Sequence, residues 1–439
     1  MIISSYIYIL NKTILIMFVF KFGGASVKNA TSVKNLAEIL QKFSDNIVVV
    51  ISAMGKSTNA LEQIVEYYSS GNKVELDIAF ENFKAFHYYI MKDLFESTEH
   101  QSYQKVKAVF DTMSEKISDK PTLNYDFDYD QIVSNGELLS TLIVSEYLKA
   151  VNINARWKDI RESVKTDNKY REAKVEWDIS ESLMKNNFTF EDGNILVTQG
   201  FLGSTINNLT TTLGREGSDY SAAIIAYLLE AEKVIIWKDV PGVLNADPKW
   251  FDDTILLEKI SYKDAIELAF YGTSVIHPKT IQPLKRKSIP LHVKSFIEPD
   301  LKGTLVTHHD YDKLIPSFIF KMDQVLISIS ARDLSFIAED YLEIILGAFA
   351  RNGLNINLMQ NSATSFQICV NNDRNRIGRI VNDLEKQFHI EWENELELVT
   401  IRYFDQQTID RVTINKEVIL EQHNKTTAQM VIRDVSEKE

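Results

Sequence analysis

The chain has 439 residues, of which 45% are hydrophobic and 25% are charged, and its formal net charge is −13. The length predicts roughly two to four domains, and the apolar fraction excludes an intrinsically disordered chain. The acidic balance, without a long run of lysine or arginine, argues against a nucleic-acid partner and favours a small-molecule partner. The single cysteine, Cys369, excludes an intramolecular disulfide and a multi-cysteine metal site, so we expect a reducing, cytoplasmic location.

The first sixteen residues form an apolar stretch ahead of a second methionine, Met17. A membrane helix needs roughly 20 apolar residues, and the positive charge of this stretch, Lys12, lies inside the apolar run instead of ahead of it. We therefore expect neither a membrane span nor a signal peptide. Residues 1–16 are predicted to be an extension, either disordered or the product of an upstream start.

Short β-branched runs alternate with helical patterns from residue 17 onwards, which predicts an α/β fold with a mainly parallel sheet flanked by helices. The candidate strands of this region are 18–22, 47–52, 195–199, 234–237 and 290–296. From about 62 to 130 the sequence is rich in Glu, Lys, Phe and Tyr at helical spacing, which predicts a helical insertion without an assigned function. The first domain is therefore expected over residues 17–310.

A second pattern follows a polar, loop-like segment at residues 303–316. Strands are predicted at 325–330, 355–358 and 365–370, and a helix at 341–351. This order indicates a separate small α+β module over residues 311–439.

A lysine and two glycines lie between the first predicted strand and the first predicted helix. Lys21 is followed by Gly23, Gly24 and Ser26. Paired glycines let backbone N–H groups approach an anion, and a helix N-terminus adds partial positive charge, so the turn favours phosphate. The ammonium of Lys21 would stabilise a transferring phosphoryl group there. A plain tight turn with a solvated lysine is the alternative, because the segment matches neither a Walker A loop nor G-x-G-x-x-G.

Two later segments carry similar signals. Residues 210–220 lead into a helix and contain several hydroxyls, Arg215 and the pair Ser218 and Asp219. These groups favour anion binding at a helix N-terminus, although either member of the pair would also serve as an ordinary N-cap.

Residues 237–249 follow the next strand with Pro, Gly and Asp at loop positions, as expected at the carboxyl edge of a parallel sheet, where ligands bind. An ordinary turn is the alternative.

Seven segments, taken in chain order, carry a resemblance to a known family. They are KFGGAS at Lys21–Ser26, ISAMGKSTN at Ile51–Asn59, SNGELLS at Ser134–Ser140, TQGFLGS at Thr198–Ser204, TTTLGREGSD at Thr210–Asp219, WKDVPGVLNADPK at Trp237–Lys249 and YGTSVIHP at Tyr271–Pro278. The chain resembles the aspartokinases, and residues 325–370 resemble an ACT regulatory domain. The resemblance implies an amino-acid-kinase fold that uses ATP with magnesium to convert L-aspartate into 4-phospho-L-aspartate, the first step toward lysine, threonine and methionine.

The resemblance also implies a set of site residues. The positions that match the family's phosphate and nucleotide contacts are Lys21, Gly23, Gly24, Ser26, Lys238, Asp239, Leu244, Lys249 and Ser274. The positions that match its aspartate contacts are Ser52, Thr58, Glu137, Phe201, Arg215 and Ser218. Lys21 and Asp219 are the implied catalytic residues, and no direct protein ligand for magnesium is implied, since the ion is expected on the ATP phosphates. Aspartate brings two carboxylates and an ammonium, which suits a guanidinium fork such as Arg215 and an anion such as Glu137.

Three positions need separate comment. Lys238 stands where many relatives have a small hydroxyl residue, and Ser274 stands where some have a lysine, for which Lys279 is a candidate substitute. His277, before Pro278, is expected to be structural, because the accepting carboxylate is already ionised at pH 7 and offers no proton to remove.

The C-terminal module departs from the family more strongly. Residues 399–435 lack a second full helix–glycine–strand pattern, so the second ACT unit looks reduced. The module is expected to mediate homodimerisation and to be the place of an amino-acid effector, and dimerisation alone is the simpler alternative. Asn357 stands where lysine-sensing relatives have a carboxylate. Its amide brings no charge, so we expect weak or absent inhibition by lysine unless Glu339 or Asp340 compensates.

Two other functions stay open at this point. One is a kinase for another small acidic acceptor, such as acetylglutamate or glutamate, which the ISAMG, GREGSD and ACT combination disfavours. The other is a catalytically weak amino-acid sensor, which the presence of Lys21, Glu137, Arg215 and Asp219 disfavours.

Overall fold

The structure is a computed structural model, and it describes residues 16–190, 194–272, 276–309, 311, 315–333 and 335–435. As far as these residues extend, the chain divides into two compact units. The first comprises Met1–Val243, Glu258–Ile266 and Val275–Asp310, and the second comprises Leu244–Leu257, Glu267–Ser274 and Tyr311–Glu439. Two stretches from the sequence region of the first domain thus group with the C-terminal unit.

Ten strands are named in the first unit. They are β1 (Met17–Phe22), β2 (Asn46–Ile51), β3 (Ala155–Lys158), β4 (Ile195–Gln199), β5 (Leu202–Ser204), β6 (Thr210–Thr212), β7 (Lys233–Lys238), β8 (Lys259–Ser261), β9 (Leu291–Ser295) and β10 (Thr304–Thr307). Eight of them form one sheet in the order β3-β4-β2-β1-β7-β9-β10-β8, and β5 pairs with β6 in a separate hairpin. In the large sheet β9 and β10 run antiparallel, and the other neighbours run parallel.

Helices alternate with these strands along the chain. They are α1 (Ala30–Gln41), α2 (Ser57–Ser70), α3 (Lys73–Leu94), α4 (Gln101–Ser118), α5 (Tyr125–Val133), α6 (Asn135–Ala150), α7 (Trp177–Asn187), α8 (Gly217–Leu229), α9 (Tyr262–Tyr271) and α10 (Pro278–Arg286). Helices α2 to α5 occupy the stretch that the sequence predicts as a helical insertion. Within the described ranges no helix is long and apolar enough to cross a membrane.

The order of the central strands explains where ligands can bind. All six residues of β1 are buried, and five of the six in β2 are too, as expected for parallel strands that are covered on both faces. The face of α1 that carries Val33, Leu36 and Leu40 is fully buried in the same core. Because the central strands are parallel, the ends of β1, β2, β4 and β7 meet at one edge of the sheet.

The second unit is built on an antiparallel sheet. Its strands are β11 (Ser317–Ala331), β12 (Ile356–Asn361), β13 (Ser365–Asn371), β14 (Phe388–Arg402), β15 (Lys416–His423) and β16 (Thr427–Asp434), and its helices are α11 (Glu339–Arg351), α12 (Arg374–Leu384) and α13 (Gln406–Thr413). The six strands lie in the order β12-β13-β11-β14-β16-β15. The long strands β11 and β14, of 15 residues each, run through both halves of the sheet.

The two halves of this sheet differ in their helices. The half with β12 and β13 packs α11 and α12 in an apolar core around Val325, Ile345 and Phe349. The half with β15 and β16 has α13, which is only eight residues long. The half with β15 and β16 thus has one short helix where the other half has two longer ones.

The fold class predicted from the sequence is confirmed. Each predicted strand of the first region overlaps an observed strand, and the helix predicted at 341–351 is α11 (Glu339–Arg351). The prediction for the N-terminal extension falls on residues 1–15, outside the described residues, and on Ile16.

Candidate active site

A cleft of about 730 Å³ opens at the carboxyl edge of the parallel sheet. This volume lies within the range of small-molecule sites, roughly 300–1,000 Å³. Its lining residues are Lys21, Ser52, Thr58, Glu62, Asp126, Tyr129, Glu137, Lys169, Tyr170, Arg171, Glu172, Phe201, Gly214, Arg215, Glu216, Gly217, Ser218 and Asp219. The cleft therefore brings together all six positions matched to aspartate contacts and both implied catalytic residues.

A buried carboxylate holds two lysines in this region. Lys21 Nζ lies 2.6 Å from Asp219 Oδ1, and Lys238 Nζ lies 3.3 Å from Asp219 Oδ2. The side chain of Asp219 is fully buried, and it sits in the first turn of α8, where the helix dipole favours a negative charge. Burial opposes ionisation of Asp219, but the two ammonium groups outweigh it and hold the pKa of Asp219 below its ordinary value. The three groups form a compact cationic cluster with a fixed anion at its centre.

The glycine turn after β1 is set by a close backbone approach. A Cβ atom on Gly24 would lie 2.8 Å from the carbonyl oxygens of both Ala53 and Gly55, so only glycine fits. The N–H of Gly55 donates to the carbonyl of Gly24 at 3.0 Å, and that of Ser26 donates to Gly23 at 2.9 Å. Gly23, Gly24 and Ser26 therefore lie beside Lys21, although they are not among the lining residues of the cleft.

Glu137 offers the cleft a carboxyl oxygen that has no partner. It lies in the first turn of α6 and is 3% exposed. Its Oε1 accepts a hydrogen bond from the N–H of Ala53 at 3.1 Å, while its buried Oε2 has no hydrogen-bond partner among the described residues. Burial raises the pKa of Glu137 to about 8, against the opposing effects of the Ala53 N–H and of Lys21. An ammonium group from a ligand would satisfy this oxygen.

Two glycines, Gly217 in the GREGSD segment and Gly200 after β4, let the start of α8 pack against the end of β4. A Cβ on Gly217 would lie 2.5 Å from Cδ2 of Phe201, and a Cβ on Gly200 would lie 2.5 Å from Cβ of Ser218. Arg215, just ahead of the helix, is exposed, and no ion pair is found for it within the described part of the chain. The segment thus presents a guanidinium at the rim while Ser218 and Asp219 lie buried below it.

Ser52 and Thr58 complete the opposite wall of the cleft. Ser52 follows β2, where its N–H donates to the carbonyl of Phe22 at 3.1 Å and its carbonyl accepts from Ser140 Oγ at 2.8 Å. Thr58 lies in the first turn of α2. Backbone contacts at the end of β2 therefore place Ser52, and the start of α2 places Thr58.

The other described positions that match nucleotide contacts do not line this cleft. Asp239 is exposed after β7, and Leu244 and Lys249 belong to the second compact unit. Ser274 lies outside the described residues.

His277 caps α10, where its Nδ1 accepts a hydrogen bond from the N–H of Lys279 at 3.2 Å. Burial, together with the charge of Lys279, lowers the pKa of His277. This is the structural role that we expect from the sequence.

Several lining residues carry no signal in the sequence. Tyr129 donates a hydrogen bond to Glu62 Oε1 at 2.7 Å, and the guanidinium carbon of Arg171 lies 4.3 Å from the centroid of the Tyr129 ring. Tyr129 and Glu62 lie in or near the predicted helical insertion, whose periodicity reports burial and not ligand contact.

Comparison with known proteins identifies the family. The sequence model of the amino acid kinase family matches residues 17–295. The chain belongs to the amino acid kinase family. Among its relatives, the lysine-sensitive aspartokinase 3 of Escherichia coli is 29% identical over 350 residues, which cover 79% of this chain and 76% of the relative. The chloroplastic bifunctional aspartokinase/homoserine dehydrogenase 2 of Arabidopsis thaliana is 28% identical over 84% of this chain, and the match spans only 42% of that longer protein.

Solved structures show the same fold for this amino acid kinase. The Escherichia coli aspartokinase III structure in complex with lysine and aspartate aligns with a TM-score of 0.81 at 24% identity, covering 95% of this chain and 96% of that one. The aspartate kinase of Clostridium acetobutylicum aligns with a TM-score of 0.78 at 21% identity over 95% of this chain and 96% of that chain. The likeness therefore extends beyond the residues matched by the family model and includes the C-terminal sheet.

Proposed function

We propose that this amino acid kinase is an aspartokinase, which transfers the γ-phosphoryl group of ATP to the side-chain carboxylate of L-aspartate. The observation that carries the proposal is the composition of one cleft. It combines the buried pair of Lys21 and Asp219 with an unpartnered carboxyl oxygen on Glu137 and an exposed guanidinium on Arg215. The similarity of this chain to an aspartokinase and to a bifunctional aspartokinase/homoserine dehydrogenase supports the same activity.

Two of the three charged groups of aspartate have a complement in this cleft. The ammonium group suits the Oε2 of Glu137, and a carboxylate suits the planar fork of Arg215, which can bind it through two parallel hydrogen bonds. The hydroxyls of Ser52, Thr58 and Ser218 add neutral donors along the walls. The second carboxylate is then free to act as the phosphoryl acceptor.

The transfer needs no general base. An oxygen of the acceptor carboxylate, already ionised at neutral pH, forms a bond to the γ-phosphorus while the bond from that phosphorus to the β,γ-bridging oxygen breaks. The products are 4-phospho-L-aspartate and ADP, and no proton changes hands. Lys21 supplies a fixed positive charge for the transferring group, and Asp219 fixes the position of that ammonium. Binding also holds the acceptor carboxylate next to the γ-phosphorus. This lowers the barrier further, because the transfer becomes effectively unimolecular within the complex.

ATP use follows from membership of a kinase family, and a related aspartokinase structure contains ADP. The residues present fit a magnesium ion that the nucleotide phosphates carry. Both oxygens of Asp219 face lysine ammonium groups, and no cluster of three metal-ligating side chains occurs in the described ranges. Magnesium, when bound, would neutralise phosphate charge, as it usually does with few protein ligands. Lys238, Gly23, Gly24 and Ser26 lie near Lys21 and are the proposed phosphate contacts. Asp239, Leu244, Lys249 and Ser274 are proposed nucleotide contacts on the family pattern alone.

We further propose that the chain is a cytoplasmic homodimer that pairs through its C-terminal unit. Strands β12 and β15 form the two edges of the antiparallel sheet, and edge strands have backbone groups available for pairing with another copy. An amino-acid effector at this unit is proposed because a structurally similar aspartokinase contains lysine.

The acceptor assay tests the proposed activity. Purified protein is incubated with Mg-ATP and, separately, L-aspartate, L-glutamate and N-acetylglutamate, and hydroxylamine traps the acyl phosphate as a hydroxamate. We expect hydroxamate formation and stoichiometric ADP release with L-aspartate. Equal or faster turnover with glutamate or acetylglutamate, or ADP release without hydroxamate, would contradict the proposal.

A further inference from the structure

A second arginine lies on the wall of the same cleft. Arg171 lines it together with Tyr129 and Glu62. Its guanidinium carbon lies 4.3 Å from the centroid of the Tyr129 ring, whose hydroxyl is tied to Glu62 Oε1 at 2.7 Å. This cation–π contact holds the guanidinium next to the Tyr129 ring.

The backbone of Arg171 has a conformation that side chains disfavour. Its φ angle is 66°, in the left-handed region where glycine is the usual residue. The carbonyl oxygen of Arg171 is also close to Gly214, since a Cβ on that glycine would lie 3.0 Å from it. The segment with Arg171 therefore packs directly against the turn that leads to Arg215.

A buried carboxylate holds Arg171 in this conformation. Asp130, on α5, is fully buried and accepts a hydrogen bond from the N–H of Arg171 at 3.0 Å. It also accepts from the N–H of Thr212 at 2.9 Å and from Thr212 Oγ1 at 2.7 Å. Asp130 thus joins α5, the segment with Arg171, and the end of β6, from which the chain enters the GREGSD turn.

The guanidinium of Arg171 is only weakly engaged by the rest of the chain. Its ion pair with Asp126 has an Nη1 to Oδ1 distance of 3.3 Å, and the side chain of Asp126 is 54% exposed. Such an exposed pair contributes little. A guanidinium has five N–H donors, so Arg171 retains donors for a ligand.

The position of Arg171 decides which ligand class it suits. It shares the cleft with Thr58, Glu137 and Arg215, while the glycines of the phosphate turn and Lys238 are not lining residues. Of the described residues assigned to the nucleotide, Lys21 alone lines this cleft, whereas all six assigned to the acceptor do, so a carboxylate of the acceptor amino acid is the better-fitting partner.

We propose that Arg171 is a further substrate-binding residue, which binds a carboxylate of the acceptor amino acid, and that Asp130 is the positioning residue that holds it at the cleft. The inference rests on the proposed aspartokinase activity, and it adds a second guanidinium to that of Arg215.

The variant Arg171→Gly separates the contribution of the Arg171 side chain to binding from that of its backbone. Glycine tolerates the left-handed conformation and keeps the N–H that donates to Asp130, so this variant removes the guanidinium alone. We expect the KM for aspartate to rise about tenfold or more, with the KM for ATP unchanged, because a charge-assisted hydrogen bond is lost. Arg171→Lys should give an intermediate rise. Arg171→Gly with the wild-type KM for aspartate would overturn the proposal.

A double-mutant cycle tests the positioning role of Asp130. Asp130→Asn replaces one acceptor oxygen by an NH2 group, which faces groups that donate to Asp130 in the wild type. The variant should therefore displace Arg171 and raise the KM for aspartate in the wild-type background. In the Arg171→Gly background the same change should add much less, because the positioned group is already gone. An equal effect in both backgrounds would show a merely structural role and overturn the assignment. If Asp130→Asn does not fold, Thr212→Val, which removes one hydrogen bond to Asp130, replaces it in the same cycle.

The controls separate this inference from the proposed function. Asp111→Asn removes the exposed partner of Lys107, outside the lining of the cleft, and should leave the KM for aspartate within about twofold of the wild-type value. Wild-type protein that does not phosphorylate aspartate would contradict the proposed function itself. Wild-type activity combined with unaffected Arg171 variants would contradict only the present inference.

Discussion

The two compact units each contain a lysine that is at least half removed from water, and they stabilise it differently. In the first unit Lys21, which is 7% exposed, forms an ion pair with the buried carboxylate of Asp219. In the second unit the half-buried Lys321 donates to the neutral amide oxygen of Asn357 at 2.8 Å. No ion pair of Lys321 is found among the residues that the structure describes, and burial lowers the pKa of Lys321. A lysine paired with a carboxylate is held as a fixed charge, which suits phosphoryl transfer, whereas one held by an amide is part of a structural network.

The network around Lys321 explains how Asn357 is used. The Nδ2 of Asn357 donates to Gln324 Oε1 and to Asn371 Oδ1, both at 2.8 Å, and its Oδ1 accepts from Lys321. Both ends of the amide are therefore engaged within the chain. Glu339 and Asp340 are exposed in the first turn of α11, where the helix dipole favours acidic residues. None of these groups presents a free buried carboxylate to an effector.

The largest expected effect comes from removing the carboxylate between the two lysines of the catalytic unit. Asp219→Asn leaves Lys21 and Lys238 without their counter-charge, and breaking a buried pair in this way costs about 3–5 kcal/mol. We expect the free energy of unfolding to fall by a comparable amount in a denaturant titration, with a large loss of kcat. Asp111→Asn is the control, since its pair with Lys107 is more than half exposed on both sides. That control should change stability by no more than about 0.5 kcal/mol, and an equal loss in both variants would contradict the account.

The next effect concerns the guanidinium of Arg215. Arg215→Lys keeps the charge but loses the two-point fork, so the KM for aspartate should rise about tenfold or more, with little change in the KM for ATP. Steady-state kinetics with each substrate varied in turn measure both values. Arg411→Lys, in the C-terminal unit, should leave both values unchanged. An unchanged KM for aspartate in Arg215→Lys would remove this residue from the binding site.

Glu137 gives the cleft a pH dependence. Burial raises the pKa of Glu137 to about 8, so its carboxyl group is protonated below that pH and ionised above it. The ammonium of aspartate prefers the ionised form, and the KM for aspartate should therefore fall as the pH rises through about 8. The profile of Glu137→Gln should be flat at a higher KM. A wild-type KM that does not change over this range would contradict the role of Glu137.

The smallest expected effect is that of lysine on the rate. Because the amide of Asn357 is engaged by Lys321, lysine should change the aspartate-dependent rate little when lysine and threonine are titrated separately and together. The double variant Asn357→Asp with Lys321→Met frees a carboxylate at this position, and it should become more sensitive to lysine. Submillimolar inhibition of the wild-type enzyme by lysine alone would show that our interpretation of Asn357 is wrong.

The sequence predicts those parts of the fold that depend on local pattern. Strands β1 and β2 are near-continuous apolar runs, and their predicted bounds lie within one residue of the observed ones. The glycine segments predict the cleft because each glycine permits a close contact at the carboxyl edge, as Gly24 and Gly217 do. Patterns of this kind are readable because they depend on residues near in sequence.

Contacts between distant residues were not predictable in the same way. The N–H of Arg171 donates to Asp130, which is 41 residues away, and the amide oxygen of Asn357 accepts from Lys321, which is 36 residues away. The segment at 237–249 reads as one motif, yet its residues from Leu244 onwards group with the second unit. Neither periodicity nor composition contains this information, because both describe single elements and not the packing between them.

The same substitution in the two units tests the central claim most directly. Lys21→Ala removes the buried lysine of the first unit, and Lys321→Ala removes the half-buried lysine of the second. For each variant, kcat is measured with saturating aspartate and Mg-ATP. We predict a loss of roughly 10²–10³ in kcat for Lys21→Ala, the typical cost of removing one preorganised donor to a transition state, and a near-normal kcat for Lys321→Ala. Near-normal kcat in Lys21→Ala, or an equal loss in both variants, would contradict the account.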